Sequence, residues 1–179
     1  MSNYVYIATS LDGFIATPDG GVEWLDDVPN PDNGDFGYAA FISRVDAILM
    51  GSGTYEKVLT FGQWPYEKIV YVLSNRIESV PDELIDKVKI IKGPLADVLS
   101  NLKGQGIENL YIDGGKVIQS FLSEDLIDEL IITKVPKLLG KGIPLFGDLE
   151  GTMNFTHVET EVINNYLVKS RYVRELKES

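Results

Sequence analysis

The chain has 179 residues, no cysteine and a formal net charge of −11. The lack of cysteine excludes disulfides and thiolate metal sites, and the negative charge disfavours nucleic acid and anionic membranes as partners. No apolar run approaches the roughly 20 residues of a membrane helix, and a strand pattern begins near the N-terminus, so no signal peptide is predicted. We expect one cytoplasmic domain over residues 1–179.

The first third of the chain predicts a strand, a long loop and a helix. Residues 4–9 are typical of a buried strand, and turn residues follow over 17–21. The irregular stretch over 23–34 is long, and such loops in compact domains are often functional lids. Trp24 in this loop either shapes a pocket or simply packs. Apolar residues at helical spacing predict a helix over 35–45.

Two strand-to-helix junctions carry glycines at the turn. An apolar run over 47–50 leads into Gly-Ser-Gly-Thr at 51–54, and a second run over 110–112 leads through Asp113 into Gly-Gly-Lys at 114–116. Glycine allows a sharp turn and a close ligand approach, and the N-terminus of the next helix favours phosphate. A tight turn without a ligand is the alternative at each junction. Two such junctions together indicate a dinucleotide.

The remaining elements alternate until the last third, where the pattern changes. Strands are predicted over 69–73, 88–91 and 126–135, and helices over 54–59, 94–102 and 116–122. Two long alternating runs, 155–163 and 166–173, are joined by Asn-Asn, which suits a tight hairpin turn. The pattern predicts an α/β fold with a mostly parallel central sheet, flanking helices and an antiparallel C-terminal hairpin. The hairpin's apolar edge strands predict a homodimer.

Five motifs occur along the chain in a specific order, over 10–16, 50–56, 72–74, 112–115 and 133–146. In that order they resemble the dihydrofolate reductase superfamily, and most closely the bacterial relatives of the reductase domain of riboflavin-biosynthesis enzymes. The last motif, with its Pro, Leu-Gly-x-Gly and Phe, is more like the riboflavin-type reductases than the classical folate reductases. The zinc-binding deaminase domain of the bifunctional enzymes has no counterpart in this sequence.

The resemblance implies NADPH as the cofactor and assigns its contacts to four parts of the chain. The matching positions are Ala8 and Ile15 around the nicotinamide, Gly51, Ser52 and Thr54 at one phosphate corner, Gly114, Gly115 and Lys116 at the other, and Leu73 and Ser74 on the adenosine side. Two helix N-termini can hold a pyrophosphate without a net positive protein.

Two departures from the family pattern, and one match to it, have consequences for function. Ser52 replaces the arginine that often contacts the 2′-phosphate, and Arg76 is its candidate substitute, with a solvated turn residue as the alternative. Lys68 lies where classical folate reductases place a carboxylate-binding arginine, which argues against folate. The family's catalytic acid lies on the first helix, and Asp35 is the matching candidate.

The expected chemistry is hydride transfer to a small heterocycle of pterin or aminopyrimidine type, with a carboxylate that assists protonation. Asp35 is predicted to lie in a cleft where burial raises its pKa, and a helix cap is the alternative role. Asp12 is expected to form a turn, and Asp113 is expected to cap the next helix, with substrate contact as the alternative. Two other functions stay open: the riboflavin-pathway reductase itself, with Lys116, Lys134 and Lys141 as candidate phosphate ligands, and a non-catalytic nucleotide-binding protein. The one histidine, His157, is expected on a surface strand, and no metal site is predicted.

Overall fold

The computed structural model describes residues 1–175, so residues 176–179 of the predicted domain lie outside the described part. Ten strands occur within this part: β1 (Ser2–Ser10), β2 (Phe14–Ala16), β3 (Ala47–Gly51), β4 (Ile69–Leu73), β5 (Val88–Ile91), β6 (Asn109–Asp113), β7 (Glu129–Val135), β8 (Ile143–Pro144), β9 (Phe155–Ile163) and β10 (Leu167–Arg174). Eight of them form one sheet in the order β5-β4-β3-β6-β1-β7-β10-β9, and β2 pairs with β8 separately.

Helices cover both faces of the large sheet. They are α1 (Tyr38–Ile42), α2 (Ser52–Leu59), α3 (Leu95–Gly104) and α4 (Gly115–Ser123). Phe41 of α1 and Tyr55 of α2 belong to the apolar core on one face, whereas Val98 of α3 and Phe121 of α4 belong to the core on the other. The longest helix of the described part has ten residues, so none there is long enough to span a membrane.

The six strands β1 and β3–β7 run parallel, so they all end at one edge of the sheet, which we call the carboxyl edge. Open parallel sheets bind ligands at this edge. Gly51 at the end of β3 is level with Leu73 on β4, and Met50 is level with Asp113 on β6. The register therefore brings the ends of β4, β3 and β6 side by side.

The C-terminal hairpin is confirmed. β9 and β10 pair antiparallel, and Asn164 and Asn165 between them have φ angles of 55° and 53°. Positive φ at both turn positions matches a type I′ turn, in which asparagine is favoured. β9 is the edge strand, and its side chains are exposed along most of its length, including that of His157.

The first helix is shorter than predicted. A helix over 35–45 is wrong, because α1 covers only Tyr38–Ile42. Phe36 and Gly37 both have positive φ angles, 57° and 92°, which a right-handed helix cannot contain. Helical spacing of apolar residues was present, but it did not reveal this turn.

Candidate functional site

The two glycine junctions meet at the carboxyl edge. β3 and β6 are neighbours, so α2 and α4 begin side by side. Gly114 has a φ of 93°, and a Cβ placed there would overlap the Thr54 hydroxyl. Only glycine satisfies both the backbone angle and this close approach. The junctions therefore form one continuous surface with two helix N-termini.

Gly115 is required by packing within the protein. A Cβ at Gly115 would lie 2.9 Å from Cδ1 of Ile15 and 3.3 Å from Cγ2 of Ile143. Ile15 and Ile143 belong to the small β2–β8 sheet, which sequence patterns did not predict. This sheet is what brings Ile15 to the start of α4. A valine at Gly115 would therefore also disturb the protein's own packing.

Gly53 marks the open side of the α2 N-terminus. It is exposed, its φ is ordinary, and a Cβ placed there would have no neighbour within 4 Å. Ser52 beside it is half-buried. An anion can therefore approach the first turn of α2 without any rearrangement of the chain.

The predicted cofactor-binding residues lie along three adjacent strand ends and the small sheet. Leu73 is level with Gly51, and Ser74 is buried directly after β4. Ser74 accepts hydrogen bonds through Oγ from the backbone N–H groups of Arg76 and Ile77, each at 3.1 Å. The positions predicted for the two corners, together with Ile15, are brought together: Gly51, Ser52, Thr54, Gly114, Gly115 and Lys116. Ala8 lies further along the sheet, on β1, level with Thr133 of β7.

Arg76 already has an anionic partner. Its Nη1 and Nη2 atoms donate to Oε1 and Oε2 of Glu56 on α2, at 2.6 and 2.9 Å. Both side chains are exposed. The hydrogen bonds from Arg76 lower the pKa of Glu56. Arg76 thus follows β4, as the sequence indicated, but its guanidinium group is already bound to the carboxylate of Glu56.

Asp35 does not have the buried environment that was expected. Its carboxylate accepts hydrogen bonds from the backbone N–H groups of Ala39, at 2.7 Å, and Gly37, at 2.9 Å, and the residue is exposed. These bonds, that from Ala39 first, lower the pKa of Asp35. The expectation of burial with a raised pKa is wrong, and the geometry is that of a helix-capping acceptor. Its catalytic role stays a prediction.

A different carboxylate, that of Asp113, is half-buried beside tyrosine side chains. The hydroxyl of Tyr66 donates to Oδ2 of Asp113 at 3.2 Å. Burial raises the pKa of Asp113, and the hydrogen bond from Tyr66 opposes this rise. Desolvation followed by the charge of Asp113 raises the pKa of Tyr38 to about 12, which places Tyr38 near the same carboxylate. Asp113 therefore lies among tyrosines, at the end of β6 and directly before Gly114.

Asp113 does not cap α4. The N-cap of α4 is Gly114, which has no side-chain capping bond. The tyrosines around Asp113 come from distant parts of the chain, and Trp64 packs edge-on against Tyr66 with ring centroids 5.4 Å apart. Sequence reasoning did not identify Tyr38 or Tyr66 as site residues, because no spacing links them to Asp113.

The loop after β1 is fastened to the segment after β7. The carboxylate of Asp12 accepts hydrogen bonds from the backbone N–H groups of Leu139, at 3.1 Å, and Gly140, at 2.7 Å, and from the Ser10 hydroxyl at 2.6 Å. Lys137 donates to the carbonyl of Trp24 at 2.7 Å and also binds Asp27. The first and last of the five sequence motifs are thereby joined beside Ile15.

The other candidate residues are more dispersed. Lys68 precedes β4, and its charge adds to the backbone bond from Glu108 in lowering the pKa of Asp46, which precedes β3. Lys68 is therefore at the edge opposite the glycine junctions. Lys134 donates to the Ser10 carbonyl at 3.4 Å, and Lys141 is exposed. Within residues 1–175, no cluster of three or more His, Asp or Glu side chains is arranged to hold a metal ion.

The chain belongs to the RibD C-terminal domain family, whose model matches residues 4–169. It is 42% identical over 149 residues to the uncharacterized protein YwjB of Bacillus subtilis, with 81% of this chain and 82% of that protein covered. A putative riboflavin biosynthesis protein from Shewanella sp. PV-4 superposes with a TM-score of 0.95 at 49% identity, covering 98% of this chain and all of that one (100%).

The fold is that of dihydrofolate reductase. The Enterococcus faecalis dihydrofolate reductase, solved in complex with NADP(H) and RAB-propyl, superposes with a TM-score of 0.66. Identity is 13%, and 97% of this chain and 96% of that chain are covered. At this identity the likeness concerns the fold alone. The predicted superfamily and fold are confirmed, and the family establishes a domain of reductase type.

Proposed function

We propose that this protein is an NADPH-dependent reductase that transfers a hydride to a small heterocycle of pterin or aminopyrimidine type. One observation carries the proposal: α2 and α4 begin side by side at the carboxyl edge, with Gly114 packed against Thr54. Two adjacent helix N-termini provide unpaired backbone N–H groups and positive dipole ends for a pyrophosphate. The open space at Gly53 lets the anion reach them.

The residues on either side of the helix N-termini differ in a way that suits the two ends of a dinucleotide. On one side Ile15 and the β2–β8 sheet form an apolar wall against the start of α4 at Gly115. On the other side, the turn after β4 has the buried hydroxyl of Ser74 and the exposed guanidinium of Arg76. The nicotinamide fits the first side, where water is more readily excluded, and the adenosine phosphate fits the second.

When bound, the nicotinamide would supply the hydride, and the protein would supply orientation and the charge that assists the proton. Asp113 is the carboxylate of the described site whose pKa burial raises. Tyr66 donates to it and fixes its orientation. A carboxylate in such a setting can accept the N–H groups of an amino-heterocycle and stabilise the protonated ring. We therefore propose Asp113 as the proton-handling group, and Asp35, the sequence-based candidate, is the alternative.

The riboflavin-pathway pyrimidine reductase is the second candidate function. The family match and the putative riboflavin biosynthesis protein from Shewanella favour it. Its phosphorylated substrate would need cations near the site. Of the candidate lysines, Lys116 lies in the first turn of α4 and Lys134 lies near the end of β7, both at the carboxyl edge. A cytoplasmic location fits either activity and stays a prediction.

Oxidation of NADPH, followed optically, separates these activities. The purified protein is supplied in turn with dihydrofolate, the ribosylated aminopyrimidine phosphate of riboflavin synthesis, and simple pterins. We expect turnover with an aminopyrimidine or pterin. Tight NADPH binding with no turnover on any substrate would support the third function, a nucleotide-binding protein without catalysis.

We also propose a homodimer. β9 is a nine-residue edge strand with Val158 and Val162 exposed, 45% and 62% respectively. An apolar groove of about 300 Å³ lies between β7, β10 and the β8–β9 segment, lined by Leu130, Ile132, Phe146, Phe155 and Tyr172, with Lys134 and Ser170 at its margin. Such edges and grooves are normally covered. Light scattering should give twice the chain mass of 19.9 kDa, and a monomer at micromolar concentration would contradict this.

A further inference from the structure

Glu56 and Arg76 form a bidentate pair at the outer end of the proposed dinucleotide site. Both guanidinium nitrogens of the fork are used, with N–O distances of 2.6 and 2.9 Å. The pair links the exposed face of α2, one turn after Ser52, to the turn after β4. Gly51 and Leu73 are level in the sheet, so α2 begins beside the turn that follows β4. The ion pair therefore lies close to the N-terminus of α2.

The backbone of Arg76 is held, whereas its side chain is exposed. Ser74 is 8% exposed and binds the N–H groups of Arg76 and Ile77 through its hydroxyl. The Arg76 side chain is 64% exposed and that of Glu56 48%. Exposed ion pairs are weak, so an incoming phosphate can take the guanidinium from the carboxylate. The backbone anchor keeps the arginine in place while this happens.

Carboxylate and phosphate compete for the same planar donors. We infer that Glu56 is a specificity-determining residue that lowers the preference for NADPH over NADH. With NADH, Glu56 neutralises Arg76 and nothing is displaced. With NADPH, the 2′-phosphate must displace Glu56 and then lie beside its negative charge. The inference rests on the proposed dinucleotide site.

The chain provides a matched set of variants. Glu56→Gln keeps the shape and removes the charge, and Arg76→Gln removes the fork. Glu108→Gln removes the same charge from an exposed residue just before β6, at the opposite edge of the sheet. NADPH and NADH are each titrated by calorimetry into the wild type, the three single variants and the Glu56→Gln/Arg76→Gln double variant. Thermal melting confirms that every variant is folded.

We expect Glu56→Gln to tighten NADPH by about twofold to fivefold, as for the removal of one exposed ion pair, and to leave NADH unchanged. Arg76→Gln should weaken NADPH alone, and adding Glu56→Gln to it should then restore little. Glu108→Gln should change neither cofactor. An unchanged ratio of NADPH to NADH affinity in folded Glu56→Gln would overturn the inference and leave the dinucleotide site standing. Failure of the wild type to bind either dinucleotide would overturn both.

Discussion

The carboxyl edge around β3 and β6 and the segment that leads into α1 differ in what determines their structure. At the edge, glycines occupy the turns, and the backbone itself forms the two helix N-termini. Before α1, positive φ angles at Phe36 and Gly37 interrupt the helix and leave Asp35 exposed. A site made by the backbone follows from local sequence, whereas the environment of a side chain depends on residues far along the chain.

The two carboxylates, Asp35 and Asp113, make this difference concrete. Backbone N–H groups lower the pKa of Asp35, and burial raises the pKa of Asp113. A proton-handling group needs a pKa closer to neutrality than an ordinary carboxylate has. The comparison therefore assigns the larger catalytic effect to Asp113.

The largest expected effect is that of Asp113→Asn on turnover. The amide keeps the shape but cannot ionise, so kcat should fall by about 10²–10⁴, the usual contribution of proton transfer. The NADPH dissociation constant should change little, because the proposed phosphate site is formed by other residues. Steady-state kinetics and a binding titration on the same preparation measure both quantities. Normal turnover would remove Asp113 from the mechanism.

Asp113→Asn should lower turnover, but it should not lower the stability of the fold. The native pKa of Asp113 is above its unfolded value of about 3.9. Between the two values the native state binds more protons, so stability falls as pH rises through this window and stays lower at neutral pH. Asp113→Asn should therefore be as stable as the wild type or more so at pH 7, and its stability should depend less on pH. A large loss of melting temperature would show that the carboxylate is structural.

A smaller effect is expected on the affinity for dihydrofolate. Lys68 lacks an arginine fork and lies at the edge opposite the glycine junctions. Losing one charged bidentate contact costs on the order of 1.5–3 kcal/mol, or about tenfold to a hundredfold in affinity. Kinetics with dihydrofolate should therefore show weak, inefficient turnover. A micromolar KM with an ordinary enzyme turnover would contradict this expectation.

The smallest effect is expected for Asp35→Asn. Asparagine also caps helices well, so the melting temperature at pH 7 should change little and turnover should remain close to normal. The lowered pKa means that any stability from Asp35 is present above its unfolded pKa and is lost as pH falls through the native value. A drop in kcat comparable to that of Asp113→Asn would instead establish the sequence-based assignment of Asp35.

The fold and the glycine junctions could be predicted because their signals are local. Alternating hydrophobicity, the Asn164-Asn165 turn and the two Gly-containing junctions each depend on neighbouring residues. The acid site could not be predicted in the same way. Tyr66 lies 47 positions before Asp113, and their hydrogen bond forms only when the sheet is assembled. The carboxylate partner of Arg76 is likewise 20 positions away, on another element.

The β2–β8 sheet was also missed, because its strands have three and two residues. Such short strands have no periodicity to detect. Their pairing nevertheless positions Ile15 against the start of α4, where its side chain leaves no room for a Cβ at Gly115. The family resemblance supplied the position of Ile15, and the structure supplied its contact.

Gly53→Asp tests most directly whether the paired helix N-termini bind a dinucleotide. The side chain enters open space, and an acid in the first turn of a helix favours the helix, so the fold should be kept while a negative charge faces the pyrophosphate. Gly104→Asp adds the same charge at the end of α3, also in open space, and is the matched control. Calorimetric titration with NADPH should show wild-type affinity for Gly104→Asp and a loss of about a hundredfold or more for Gly53→Asp. Equal NADPH affinity in all three proteins would contradict the account.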